Sequence, residues 1–168
     1  MIHPSRSSRV LLAAAVMALA GALVDVRATV LEAPRSNVGF RSAFFDALLV
    51  ASQKEGRFVV QMGGESMLPF FGLGSLAVVQ PLDPGQLRPG MIAVYRNRDG
   101  EFIAHRVIGH TDAGWQVRGL NNARADSEPV NGTNLQGVLY ATFHTAGPAQ
   151  GLAASLATLP LVLGAPAK

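Results

Sequence analysis

The segment Gly63-Gly64-Glu65-Ser66-Met67-Leu68-Pro69 sets a serine in a glycine-rich turn at the exit of an apolar run. Glycines at such a place let backbone N–H groups come close to a carbonyl oxygen, which is what an oxyanion hole requires. A serine hydroxyl attacks poorly unless a base takes its proton, and that base is a histidine or a desolvated lysine. The chain has two lysines, and neither is placed to act as that base. Lys54 precedes the turn in a stretch expected to form an exposed helix, and Lys168 is the last residue. Histidine remains. His105 lies in the strand-like run Ile103-Ala104-His105-Arg106-Val107-Ile108, whose apolar side chains would shield an imidazole. Either feature alone has a plainer explanation, since most serines in glycine-rich turns only turn the chain and most strand histidines are structural.

Other chemistries fit less well. The histidines at positions 3, 105, 110 and 144 show no HxH or HExxH spacing, and there is no cysteine to complete a metal site. On a regular strand the odd spacing of His105 and His110 points them to opposite faces. Gly72-Leu73-Gly74 lacks the lysine and the following helix of a phosphate loop. No cofactor and no metal is expected. The absence of cysteine also removes disulfide scaffolds and thiol nucleophiles.

The elements that must position Ser66 and His105 come from the patterning of 168 residues, 49% hydrophobic and 15% charged, enough for one ordinary domain. The net charge of +3 suggests a nucleic-acid partner, but Arg6, Arg9 and Arg27 sit in the N-terminal segment. Beyond residue 28 the chain holds 11 basic and 10 acidic side chains, too even for a phosphate-binding patch. No nucleic-acid partner is expected. In residues 1–28, Arg6 and Arg9 precede the uncharged run Val10–Val24. As a helix that run spans about 22 Å, short of the ~30 Å hydrocarbon core. It reads as a signal peptide, with Val26-Arg27-Ala28 as a tolerable cleavage site, or as a short membrane anchor. Either leaves the rest of the chain exported. At the other end, residues 144–168 form an apolar tail interrupted by prolines, either a second membrane segment or a greasy stretch packed on the domain.

Residues 29–56 read as a linker followed by an amphipathic helix over Arg41–Lys54, with Phe44, Phe45, Leu48 and Leu49 on one face. Residues 57–143 then switch to short β-rich runs: Phe58–Met62, Ser75–Gln80, Met91–Arg96, Phe102–Ile108, Trp115–Arg118 and Gln136–Thr142. Turn chemistry separates them, and the third and fourth look like a hairpin across Asn97-Arg98-Asp99-Gly100. The expected fold is mainly β, a compact barrel or sandwich with a hydrophobic N-terminal helix, a short amphipathic helix and an apolar C-terminal tail.

Four blocks occur in order: Gly64-Glu65-Ser66-Met67-Leu68-Pro69, Pro89-Gly90-Met91-Ile92-Ala93-Val94-Tyr95-Arg96, His105-Arg106-Val107-Ile108-Gly109 and Arg118-Gly119-Leu120-Asn121-Asn122. Together they resemble the successive boxes of the type I signal peptidases, over about half the chain. The resemblance is nearer to the archaeal, endoplasmic-reticulum and sporulation-type branch, which has histidine where most bacterial enzymes have the catalytic lysine. It implies a signal-peptidase-like β-fold, Ser66 as nucleophile, His105 as general base, and an acid at Asp126 that orients His105. Gly64, Glu65, Met67 and Pro69 would shape the turn around the oxyanion and the substrate. It further implies membrane association, a catalytic domain on the extracytoplasmic side, and preprotein substrates cut after small residues. Two positions depart from the pattern: Met91 and Leu120 stand where the family usually has aspartate. The alternative they raise is a tethered relative that binds export substrates without cutting them.

Overall fold

The computed structural model describes residues 31–147. The proposed signal peptide or anchor at 1–28 and most of the apolar tail at 144–168 lie outside the described residues. Among the described residues no helix is long and apolar enough to cross a membrane.

One helix, α1 (Phe40–Ser52), precedes six strands: β1 (Phe58–Gln61), β2 (Leu76–Gln80), β3 (Ile92–Arg96), β4 (Phe102–Thr111), β5 (Gly114–Arg118) and β6 (Leu135–Phe143). All six runs expected to be strands are strands, with ends shifted by at most three residues. They form a single antiparallel sheet in the order β1-β2-β6-β3-β4-β5. The mainly-β expectation holds as one six-stranded antiparallel sheet, with β1 and β5 at its ends and Trp115 of β5 bridged to Val130. The fold is built around β6, which returns from the far end to lie between β2 and β3. At that crossing Gly137 has φ +152°, and a Cβ there would stand 2.3 Å from the Gln80 carbonyl oxygen, so only glycine lets the two strands close.

Side chains alternate across the pleat, so β1 and β2 feed two layers. On one side, Val59, Leu76 and Val78 are covered by α1. On the other, Phe58, Val79, Val94 and Ala104 surround Met67 and Phe71 from the serine turn. A third cluster, Leu87, Ala93, Tyr95, Val107, Val117 and Val130, fills the β3-β4-β5 end.

The helix meets the sheet differently from the expected stripe. Its fully buried residues are Ala43, Ala47 and Ala51, three small side chains at i, i+4 spacing that let the helix axis lie close to the strands. Phe40, Phe44 and Leu48 flank them, whereas Phe45 and Leu49 face outward, Leu49 at 64% exposure. Hydrophobicity placed the four large residues together; the buried face follows the alanines because bulk at the seam would hold the helix off. Ala47→Leu should therefore destabilise the fold by about 1–3 kcal/mol in denaturant titration, by overpacking. Leu49→Ala should stay within about 0.5 kcal/mol. The opposite ranking would restore the Phe45–Leu49 stripe as the docking face.

Strand β4 gains an extra residue between Val107 and Gly109 relative to β5. The alternation that set His105 and His110 on opposite faces changes phase at this bulge, so their parity argument fails. His110 instead lies edge-on to Trp115, with ring centroids 4.6 Å apart.

Candidate active site

Three pieces of chain build the site: the turn after β1, strand β4 and the connection between β5 and β6. β1 delivers the turn that follows it, and the turn is fixed from beneath by Met67, whose side chain is buried in the core beside Phe71. Above the core, the Leu68 N–H donates to the Glu65 carbonyl and the Phe70 N–H to the Met67 carbonyl, curling the backbone around Ser66. The opposite wall is the loop after β5. The Asn121 N–H donates to the Ser66 carbonyl at 2.8 Å, and the Asn121 side-chain amide donates to the Glu65 carbonyl at 3.2 Å. Gly119 lets this loop sit so close: a Cβ there would be 2.7 Å from the Ser66 carbonyl oxygen.

His105 comes from the middle of β4 and is 7% exposed. Its Nε2 lies 2.9 Å from Ser66 Oγ. Its Nδ1 lies 2.5 Å from Asp126 Oδ2. A carboxylate can only accept, so the Nδ1 side carries the proton and the Nε2 lone pair faces the serine hydroxyl. Asp126 sits in the connection between β5 and β6, and its own N–H donates to the Val117 carbonyl, which ties that loop back to the sheet. The result is a line from hydroxyl to imidazole to carboxylate, with the imidazole buried and the Asp126 side chain 16% exposed. This is the geometry by which a histidine accepts a proton from a serine and is stabilised while charged.

A second serine–histidine pair does not share these features. Ser75 Oγ stands 3.4 Å from His144 Nδ1, but Ser75 is buried and its hydroxyl also accepts from the Gly72 N–H. Among the described residues no carboxylate bonds to His144. Of the two pairs, the one at Ser66 has the carboxylate behind its histidine.

Comparison with known proteins gives a partial match. No protein-family model matches the chain. Signal peptidase I W of Bacillus subtilis (strain 168) is 33% identical to it over 76 residues, 42% of this chain. The chain resembles a signal peptidase in part. The match spans 40% of that relative's length.

The residues that the signal-peptidase resemblance marks are brought together unevenly. Ser66, His105 and Asp126 meet. Glu65 takes part through its carbonyl, while its side chain and Pro69 are exposed. Gly64 is open, with Ser66 Oγ 3.9 Å from where a Cβ would lie. Met67 contributes no side chain to the site, since it belongs to the core. Met91 and Leu120, the two departures from the family pattern, are both partly exposed. The clamp on the nucleophile turn is made by Asn121 rather than by the residue before it, so Leu120 does not leave that loop unanchored.

Sequence reasoning missed two residues. One is Asn121, which stands in the last of the four blocks but was assigned no role. The other is Tyr95, whose hydroxyl donates to Asp126 Oδ2, the same oxygen that faces His105. Burial, first, and then the Asp126 acceptor raise the Tyr95 pKa well above that of a free phenol, so the group stays a donor. A signal for Tyr95 existed. The hairpin across residues 97–101 fixes Ala93 opposite His105 and Tyr95 opposite Ile103, which puts the phenol diagonal to the histidine on one face.

Proposed function

We propose that this chain is a serine endopeptidase of the signal peptidase I kind, associated with a membrane through its apolar termini and working on the extracytoplasmic side. Its substrates are exported preproteins, cut after small residues. The observation that carries this reading is the alignment of Ser66, His105 and Asp126 in one hydrogen-bonded line.

In the proposed reaction the Ser66 proton passes to His105 Nε2 as Oγ bonds to the scissile carbonyl carbon. Asp126 stabilises the imidazolium, which returns the proton to the leaving amine as the C–N bond breaks. Water, activated by the same imidazole, then hydrolyses the acyl-enzyme and restores the hydroxyl. The oxyanion would be met by backbone N–H groups of the turn; among the described residues those of Ser66 and Met67 have no acceptor. Gly64 offers no hydroxyl to help them. The outer side of β1 pairs with no other described strand and leads into the serine turn. An extended substrate could add there as a further strand, reading small side chains beside Ser66.

Two measurements on the full chain test the reading together. A fluorophosphonate probe should label Ser66, located by peptide mass, and a preprotein should be cut to a mature form whose new N-terminus follows a small residue. An unlabelled Ser66 with intact preprotein would leave a binding module in place of an enzyme.

A further inference from the structure

The proposed relay does not stop at Asp126. We propose that Tyr95 is a positioning residue of the active site, a fourth member that holds the Asp126 carboxylate in line with His105 and shares its charge. This inference rests on the serine-peptidase reading of Ser66, His105 and Asp126 and deepens it.

The need for such an anchor follows from where the acid sits. Ser66 is backed by core and His105 by two neighbouring strands, whereas Asp126 rides on a connection outside the sheet, tied to it by one backbone bond to Val117. A side chain on such a loop keeps two rotatable bonds, and a carboxylate that swings away leaves the imidazole free to turn. Tyr95 supplies what the loop lacks. It stands on β3, is 2% exposed, and its ring meets the His105 ring edge-on with centroids 6.5 Å apart. Its hydroxyl and His105 Nδ1 converge on a single oxygen, Oδ2. Two donors on one acceptor, delivered from adjacent strands, fix both the rotamer of the carboxylate and which oxygen faces the histidine.

Packing alone does not account for the hydroxyl. A phenylalanine would fill the same space among Ala93, Val107 and Val117 without burying a polar group that requires a partner. The other members of that cluster carry no such group. The other charges near this end are few. Glu128 adds a negative charge that disfavours a phenolate at Tyr95, and Arg98 lies 3.9 Å from Glu128 on the exposed side. Neither bonds to Asp126, so the hydroxyl is the group whose removal the carboxylate feels.

Removing it has two consequences that a structural role would not produce together. The carboxylate loses one of its two donors and concentrates its charge on His105, which holds the imidazolium more tightly. The pH above which the base is free then rises. The carboxylate also loses its fixed rotamer, which lowers the rate where the base is already free.

The experiment is the pH profile of Ser66 labelling by a fluorophosphonate in the full chain and in Tyr95→Phe. The expected result is a plateau labelling rate lower by about tenfold. The pH of half-maximal labelling should also move up. An unchanged profile overturns the proposal, and so does a uniform drop whose half-maximal pH stays in place or moves down. A second measurement does not depend on catalysis. In a Tyr140→Phe background Tyr95 is the sole tyrosine of the chain, and its ionisation can be followed by ultraviolet absorbance. Asp126→Asn should let that phenolate form at lower pH than in the parent, below the alkaline unfolding followed by circular dichroism. Equal titration in both, or a phenolate that appears in both only on unfolding, overturns the link between Tyr95 and Asp126. If Ser66 in the unaltered chain takes no probe at any pH, the peptidase reading falls, and the phenol titration still decides the contact.

Discussion

Alanine at His105 should lower preprotein cleavage by about 10⁴-fold or more, and asparagine at Asp126 by about 10³-fold, with the fold intact in both. The order follows from what each change removes. Without the imidazole, Ser66 has no acceptor for its proton; His144 belongs to a different pair, with Ser75. Asparagine at 126 is milder for a reason specific to this chain. An isolated amide in that place could turn its NH2 toward His105, accept nothing from Nδ1 and force the proton to Nε2, where it would block the serine. Here the Tyr95 hydroxyl and the His105 Nδ1–H both donate to one position, an arrangement that favours the amide oxygen there. The amide oxygen therefore stays, the tautomer survives, and the loss is the negative charge that stabilises the imidazolium. Combining Asp126→Asn with Tyr95→Phe frees the amide to turn, so the double variant should be slower than the two losses multiplied. Steady-state kcat/KM for the four proteins checks this; strict multiplicativity would mean that the tyrosine does not constrain residue 126.

How much of this was legible beforehand differs by level. The strands were readable because their signals are local: β-rich runs of four to ten residues broken by Gly, Pro, Asn and Asp. Strand order was not, because β6 enters between β2 and β3 from about 40 to 55 residues beyond them, and Gly137, which makes the crossing possible, looks like any strand glycine. The helix was located correctly and its face half read: Phe44 and Leu48 pack on the core, Phe45 and Leu49 do not, and the three buried alanines carry no such signal. Ser66 and His105 were reachable by chemistry and by the scarcity of lysine. Asp126 needed the family resemblance, because a loop aspartate 21 residues beyond the histidine has no local mark. Tyr95 and Asn121 required the register of the hairpin and the close approach of two loops, facts of tertiary structure that a single sequence carries only in outline.

The second large effect is expected at a residue with no side chain. Gly119→Ala should reduce kcat/KM by about 10²-fold while costing the fold about 1–3 kcal/mol. An added Cβ would lie 2.7 Å from the Ser66 carbonyl oxygen and 2.8 Å from Asn122 Nδ2. The asparagine side chain can swing aside; the carbonyl cannot, because it belongs to the turn whose next residue, Met67, is locked in the core. The loop must retreat instead, which breaks the 2.8 Å bond from the Asn121 N–H to Ser66 and loosens the bond from its side chain to Glu65. Both bonds hold the backbone that carries the nucleophile, so the distance from Ser66 Oγ to His105 is the quantity that changes. Displacements of about 1 Å at a reacting group cost rate on this scale. The neighbouring Leu120 is 41% exposed and makes neither bond, so Leu120→Ala should stay within about threefold of the parent. A reversed result, with Leu120→Ala crippling and Gly119→Ala silent, would move control of the site from the backbone clamp to the position where the chain departs from the signal-peptidase pattern.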